Sequence, residues 1–131
     1  MMMFKRLIII LAITLVLLPS CTKKKTYPDN SIYGTWLCIE ESGNLGYRQY
    51  TVSISFENND SSLIRIFNFY NLDEEIYATV EDTLITLINV SFSYNFEGTG
   101  HIERDYSAIY WQYSYYGDTS NPYIEAVYQR P

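Results

Sequence analysis

The chain has one histidine, His101, and two cysteines, Cys21 and Cys38, so a Cys/His metal cluster, an iron–sulfur site and a disulfide-rich framework are excluded by counting. Nucleophilic catalysis would have to be built on His101, with Ser107 or Cys38 as attacker, and neither lies in a Gly-x-Ser-x-Gly turn or a similar setting. His101 reads as a surface histidine and Cys38 as a small buried hydrophobe. The carboxylates fall in runs, Glu40-Glu41, Asp73-Glu74-Glu75 and Glu81-Asp82. Adjacent strand residues point to opposite faces, so Glu40 and Glu41 cannot grip one sugar as a glycosidase pair must. The spaced acidic pattern of a calcium loop is also missing. Solubility is the expected service of these charges, and no catalytic residue, metal or cofactor is expected.

The residues best suited to contact are aromatic. Fourteen tyrosines are present, and Tyr106, Tyr110, Trp111, Tyr113, Tyr115 and Tyr116 cluster near the C-terminus. Alternation divides them: Trp111, Tyr113 and Tyr115 share a face with Ile109, while Tyr110 and Tyr116 share the other with Ala108, Gln112 and Ser114. One set builds core and the other is displayed. A tyrosine face joins flat apolar area to a polar tip, which suits sugar rings, peptides or partner proteins. Tyr110, Trp111, Tyr113, Tyr115 and Tyr116 are therefore the candidate contact residues for a ligand or partner. Nucleic acid is a poor partner, because from Tyr27 onward four arginines face all fifteen acidic residues.

The elements that position these residues read as strands. Alternation is clearest over residues 48–57, where Tyr50, Val52, Ile54 and Phe56 share one face. Further β-rich runs are expected at 34–41, 63–70, 76–80, 84–90, 94–103, 107–116 and 123–129, about eight in all. Turn chemistry separates them, as at Ser42-Gly43-Asn44, Asn58 to Ser61, Asn71-Leu72-Asp73 and Gly117 to Pro122. Short breaks predict an antiparallel meander, and closure into a barrel removes exposed edges. Gly98 and Gly100 fall on the apolar face of their strand, where a barrel must bend sharply or a large neighbour must approach. A β-sandwich is the alternative. The inward aromatics Tyr50, Phe56, Phe96 and Trp111 favour a filled interior over one open to a small ligand.

The first residues read as an address. Lys5 and Arg6 form a positive start, and residues 7–18 are apolar apart from Thr14, the length of a signal-peptide core and short of the about 20 residues that span a bilayer. Leu18-Pro19-Ser20-Cys21 resembles the lipobox of bacterial lipoproteins, which implies removal of residues 1–20 and acylation of Cys21. The mature chain would then carry a charge of −8. It would be held by acyl chains that anchor it independently of the fold, with Lys23, Lys24 and Lys25 near the head groups. Residues 21–31 read as lipidated cysteine and linker, and 32–131 as one domain. Thr22 after the cysteine, with no acidic run behind it, favours an outer-membrane lipoprotein facing the periplasm.

A second resemblance concerns the domain. Gly34-Thr35-Trp36 at the start of the first strand resembles the Gly-x-Trp signature of lipocalins, and Arg130 stands near the end of the last strand. The mature domain is similar to small lipocalin-like bacterial lipoproteins. The resemblance implies that Trp36 packs across one end of the barrel with Arg130 over its ring, both structural. Gly34, Gly98 and Gly100 complete the expected structural set. The expected function is a non-catalytic, lipid-anchored envelope barrel, either binding a small ligand of unknown identity, a small apolar molecule among the candidates, or serving as an accessory protein. The alternative is a module that docks on an envelope complex or glycan through its tyrosine face.

Overall fold

A computed structural model describes residues 31–88 and 94–131. The expected leader, Cys21, the three lysines and the last two residues of the expected fifth strand lie outside the described residues.

Eight strands follow one another in sequence: β1 (Gly34–Ser42), β2 (Gly46–Glu57), β3 (Asp60–Phe67), β4 (Glu75–Glu81), β5 (Leu84–Ile88), β6 (Asn95–Ile102), β7 (Ala108–Tyr116) and β8 (Ser120–Gln129). Each pairs antiparallel with the next, and β8 returns to pair with β1 through Cys38 opposite Tyr128 and Glu40 opposite Ala126. The meander therefore closes, and the sandwich alternative is excluded. A closed eight-stranded antiparallel barrel is the architecture that the lipocalin resemblance implies.

Strand parity sets what lies inside. Trp36 and Cys38 on β1, Val52 and Ile54 on β2, Ile109 and Trp111 on β7, and Ile124 and Tyr128 on β8 are all buried. Small residues flank the largest ring: Trp111 lies between Gly100 on β6 and Ala126 on β8. A Cβ at Gly100 would stand 3.0 Å from the indole, so the absent side chain is the space the tryptophan fills. Gly98 is tighter still. Its φ is +154°, and a Cβ there would come within 2.3 Å of the Gln112 carbonyl oxygen and 2.5 Å of Tyr113 Cα.

Two expected elements and one expected facing are corrected. The strand expected at 63–70 runs from Asp60 to Phe67 and stops at Asn68, whose φ of +64° leaves the extended region. The Asn68 side chain then organises the reversal: its Nδ2 donates to the Thr51 carbonyl at 2.9 Å and its Oδ1 accepts from the Asp73 amide at 2.8 Å. Asparagine suits this because its short amide replaces backbone partners in a left-handed turn. At the same end of the barrel, the turn expected to last to Pro122 ends earlier, and β8 begins at Ser120. Pro122 is accommodated where the β7–β8 register shifts between Tyr113 and Tyr115, a break in which a missing N–H costs no ladder bond. Ala108, expected on the displayed face, is buried at its strand's first position.

The barrel is filled. Phe69, in a short 3-10 turn at Phe69–Asn71, drops into one end and is fully buried. Its ring meets Phe96 edge-on at 5.0 Å, Trp111 at 5.4 Å and Tyr113 at 4.8 Å between centroids, separations at which aromatic pairs attract beyond their burial. The opposite end is capped by Trp36, whose Nε1 donates to the Ile32 carbonyl at 2.9 Å. The described chain begins at this Trp36 end.

Candidate functional site

The resemblance-derived pair is in place. The Arg130 guanidinium lies 3.7 Å above the Trp36 ring, and it donates to the carbonyls of Tyr33, at 3.1 Å, and Ser31. One arginine thus ties the last strand to the entering chain while covering the tryptophan. Gly34 adopts φ +115° just before the ring, a conformation that favours glycine. These residues close an end of the barrel and present nothing reactive.

The tyrosine cluster divides as alternation requires. Trp111, Tyr113 and Tyr115 are buried, whereas Tyr110 and Tyr116 are exposed. Trp111, Tyr113 and Tyr115, also candidate contacts, are buried with their rings against the interior, and each borders a surface depression. Tyr115 meets Tyr70 at 4.8 Å with its ring tilted by 34°, and Tyr113 meets Phe69 tilted by 50°.

The interior also holds a polar centre that the sequence reading missed. Glu40, expected to serve solubility, is 0% exposed. Its Oε2 accepts from Arg48 Nε at 2.7 Å, and its Oε1 accepts from the hydroxyls of Tyr50, at 2.6 Å, and Tyr113, at 2.8 Å. Burial works against the Arg48 charge, yet the adjoining carboxylate reverses this and holds the guanidinium protonated above its ordinary range. Arg48 also lies 4.6 Å from the Tyr70 ring centroid and donates to the Tyr70 carbonyl at 3.2 Å. Tyr70 Oη in turn accepts from Asn121 Nδ2 at 2.8 Å. The correction has a simple geometric cause. Glu40 shares β1 parity with Trp36 and Cys38, and parity along that strand was the signal available in the sequence. A carboxylate so buried is kept by its partners, since an unpaired one would be prohibitively costly.

Catalytic candidates are not brought together. His101 is exposed on the outer face of β6, while Cys38 lies inside the barrel with its thiol pushed up to about 12, chiefly by burial. Ser107 Oγ donates to Asp105 at 2.6 Å.

Outside, the β1, β8 and β7 strands form a shallow groove of about 520 Å³. Register places its residues in two rows. Ile39, Val127, Tyr110 and His101 follow one another across β1, β8, β7 and β6; Tyr47, Glu41, Glu125 and Gln112 follow one another across β2, β1, β8 and β7. A second depression of about 320 Å³ continues from Gln112 and Glu125 towards Glu97, Ser114 and Tyr123. Tyr47, Tyr110 and Tyr123, 63%, 47% and 83% exposed, stand along the joined groove. Ile39, Val127 and the tyrosine rings supply apolar area, and the carboxylates supply charge. The groove can therefore hold an extended partner, with polar groups to orient it. Of the candidate contact residues, Tyr110 lines it with an exposed side chain, while the buried Trp111 and Tyr113 border its two parts; Tyr47, Tyr123, Glu41 and Glu125 were missed, because only the register of β1, β2 and β8 gathers them. Among known proteins, no family model matches this chain and no curated protein matches it.

Proposed function

We propose that the protein is a non-catalytic cell-envelope lipoprotein, anchored in an outer membrane by acylated Cys21, whose barrel docks a partner on its outer tyrosine-bearing groove. The observation that carries this reading is the contrast between the two sides of one sheet. The inward face is filled by its own aromatics, with Phe69 occupying the space a ligand would take, while the outward face keeps Tyr110 and Tyr47 exposed beside a groove. A small ligand inside would have to displace packed rings, each contributing on the order of 1.5–3 kcal/mol by its burial. A partner on the groove displaces only water. The lipobox-like segment supports the anchor, and the spacer before Ser31 would enter the barrel at the end away from Phe69.

Photo-crosslinking in intact cells of the native host tests this reading. A photoreactive phenylalanine analogue at Tyr110 should give a discrete crosslinked species, and the same analogue at exposed Thr79 on β4 should not. Absence of a specific product from Tyr110, or a bound small molecule found by native mass spectrometry, would overturn it.

A further inference from the structure

The groove identifies the chemistry of its occupant. Glu41 and Glu125 stand directly opposite each other on β1 and β8, both exposed. Like charges in directly facing strand positions repel, and the sheet leaves this pair without an intervening cation: among the described residues, no lysine or arginine lines either part of the groove. The ion pairs among the described residues are built differently: Glu40 meets Arg48, and Arg65 meets Glu57 and Glu75, each across a strand pair. The Glu41–Glu125 pair is instead flanked by the exposed rings of Tyr47, opposite Glu41, and Tyr110, one row away. Aromatic faces attract lysine and arginine side chains, so both components of this surface favour the same sign of charge.

Length separates a chain from a small amine. The joined groove crosses β1, β8, β7 and β6, about 15 Å at the usual strand spacing, and a third carboxylate, Glu97, stands at its far end. One ammonium group would satisfy one end only. We infer that the groove binds a basic polypeptide segment, one cationic side chain seated between Glu41 and Glu125 and a following one near Glu97. The inference rests on the docking reading above and adds to it the class of partner.

The test is fluorescence anisotropy with a labelled hexa-arginine peptide and the full chain in non-ionic detergent at 50 mM salt. The double variant Glu41→Gln/Glu125→Gln should weaken binding at least tenfold. The double variant Asp73→Asn/Glu81→Gln, which removes the same number of acidic charges elsewhere, should weaken it less than twofold. Equal losses in both pairs would show attraction to net charge alone and overturn the inference, as would an absence of binding. Displacement of the peptide by equimolar spermine would overturn it in favour of a polyamine. Matching circular dichroism melts of the variants exclude unfolding as the cause. Crosslinking from Tyr110 does not depend on the partner's charge, so these failures leave the docking reading standing and are distinguishable from its own.

Discussion

Removing the Glu40 carboxylate would leave three donors, on Arg48, Tyr50 and Tyr113, without their acceptor in or beside the barrel interior. Breaking a buried pair from one side costs about 3–5 kcal/mol, so Glu40→Ala should lower unfolding stability by about that amount in urea titration. A loss below about 1 kcal/mol would mean that the network does not form. The same centre sets the alkaline limit of the protein. Burial holds the hydroxyls of Tyr50, Tyr113 and Tyr128 protonated above their ordinary value of 10.0, and the Cys38 thiol is raised from 9.0 to about 12. The unfolded chain releases these protons first, so the folded state binds more of them as pH rises through 9 and 10. Stability is therefore undiminished by these groups below pH 9 and falls above it. Absorbance at 295 nm should show these three phenols titrating only as near-UV dichroism collapses; full titration of all fourteen tyrosines with that dichroism intact would contradict the buried assignment.

Each element depends on a small number of positions where strand propensity is suspended. The β3–β4 reversal places Asn68, Tyr70, Asn71 and Asp73 at φ between +56° and +64°, and left-handed backbone at non-glycine residues persists only when its surroundings impose it. Here Arg48, Asn121 and the Asn68 amide impose it, and Phe69 is carried into the barrel as a result. On β6 the constraint is steric. Gly98→Ala would drive a methyl group into the Gln112 carbonyl and the Tyr113 backbone, where backbone rather than a flexible side chain must yield. We expect a loss of about 2–4 kcal/mol by thermal or urea unfolding, from overpacking and backbone strain together. A change under 0.5 kcal/mol would show that β6 and β7 separate more easily than their register implies.

At the scale of the whole molecule, closure decides what the surface offers. The barrel leaves no unpaired sheet edge between its first and last strands, so association through strand addition is disfavoured there, and the outer face of β1, β8 and β7 is where a partner finds both apolar area and charge. The proposed membrane attachment does not depend on the barrel. We expect Cys21→Ala to abolish incorporation of labelled palmitate and leave the precursor uncleaved, with the circular dichroism of the barrel unchanged. Palmitate labelling of the Cys21→Ala protein would refute the anchor. The acidic surface has the sign that the proposed docking requires: with four arginines against fifteen acids from Tyr27 onward, its field would draw a basic partner toward the groove.

Alternation by itself determined that this chain is all β, that Trp111, Tyr113 and Tyr115 part from Tyr110 and Tyr116, and that Gly98 and Gly100 face the core, because side-chain direction in a strand has a period of two. The placement of Arg130 over Trp36 followed from the lipocalin resemblance and not from alternation, and the structure has the guanidinium 3.7 Å above the ring. Only the tertiary structure decided the rest. Parity with Trp36 and Cys38 put Glu40 on the inward face of β1, but the three partners that make a buried carboxylate tolerable lie on β2 and β7, which no local pattern joins to it. Residues 68–70 were read as strand because Phe69 and Tyr70 favour extended backbone, and the left-handed turn is held by Arg48 and Asn121, distant in sequence. The groove was illegible for the same reason: Glu41 and Glu125 are 84 positions apart, and only the return of β8 to β1 sets their carboxylates face to face.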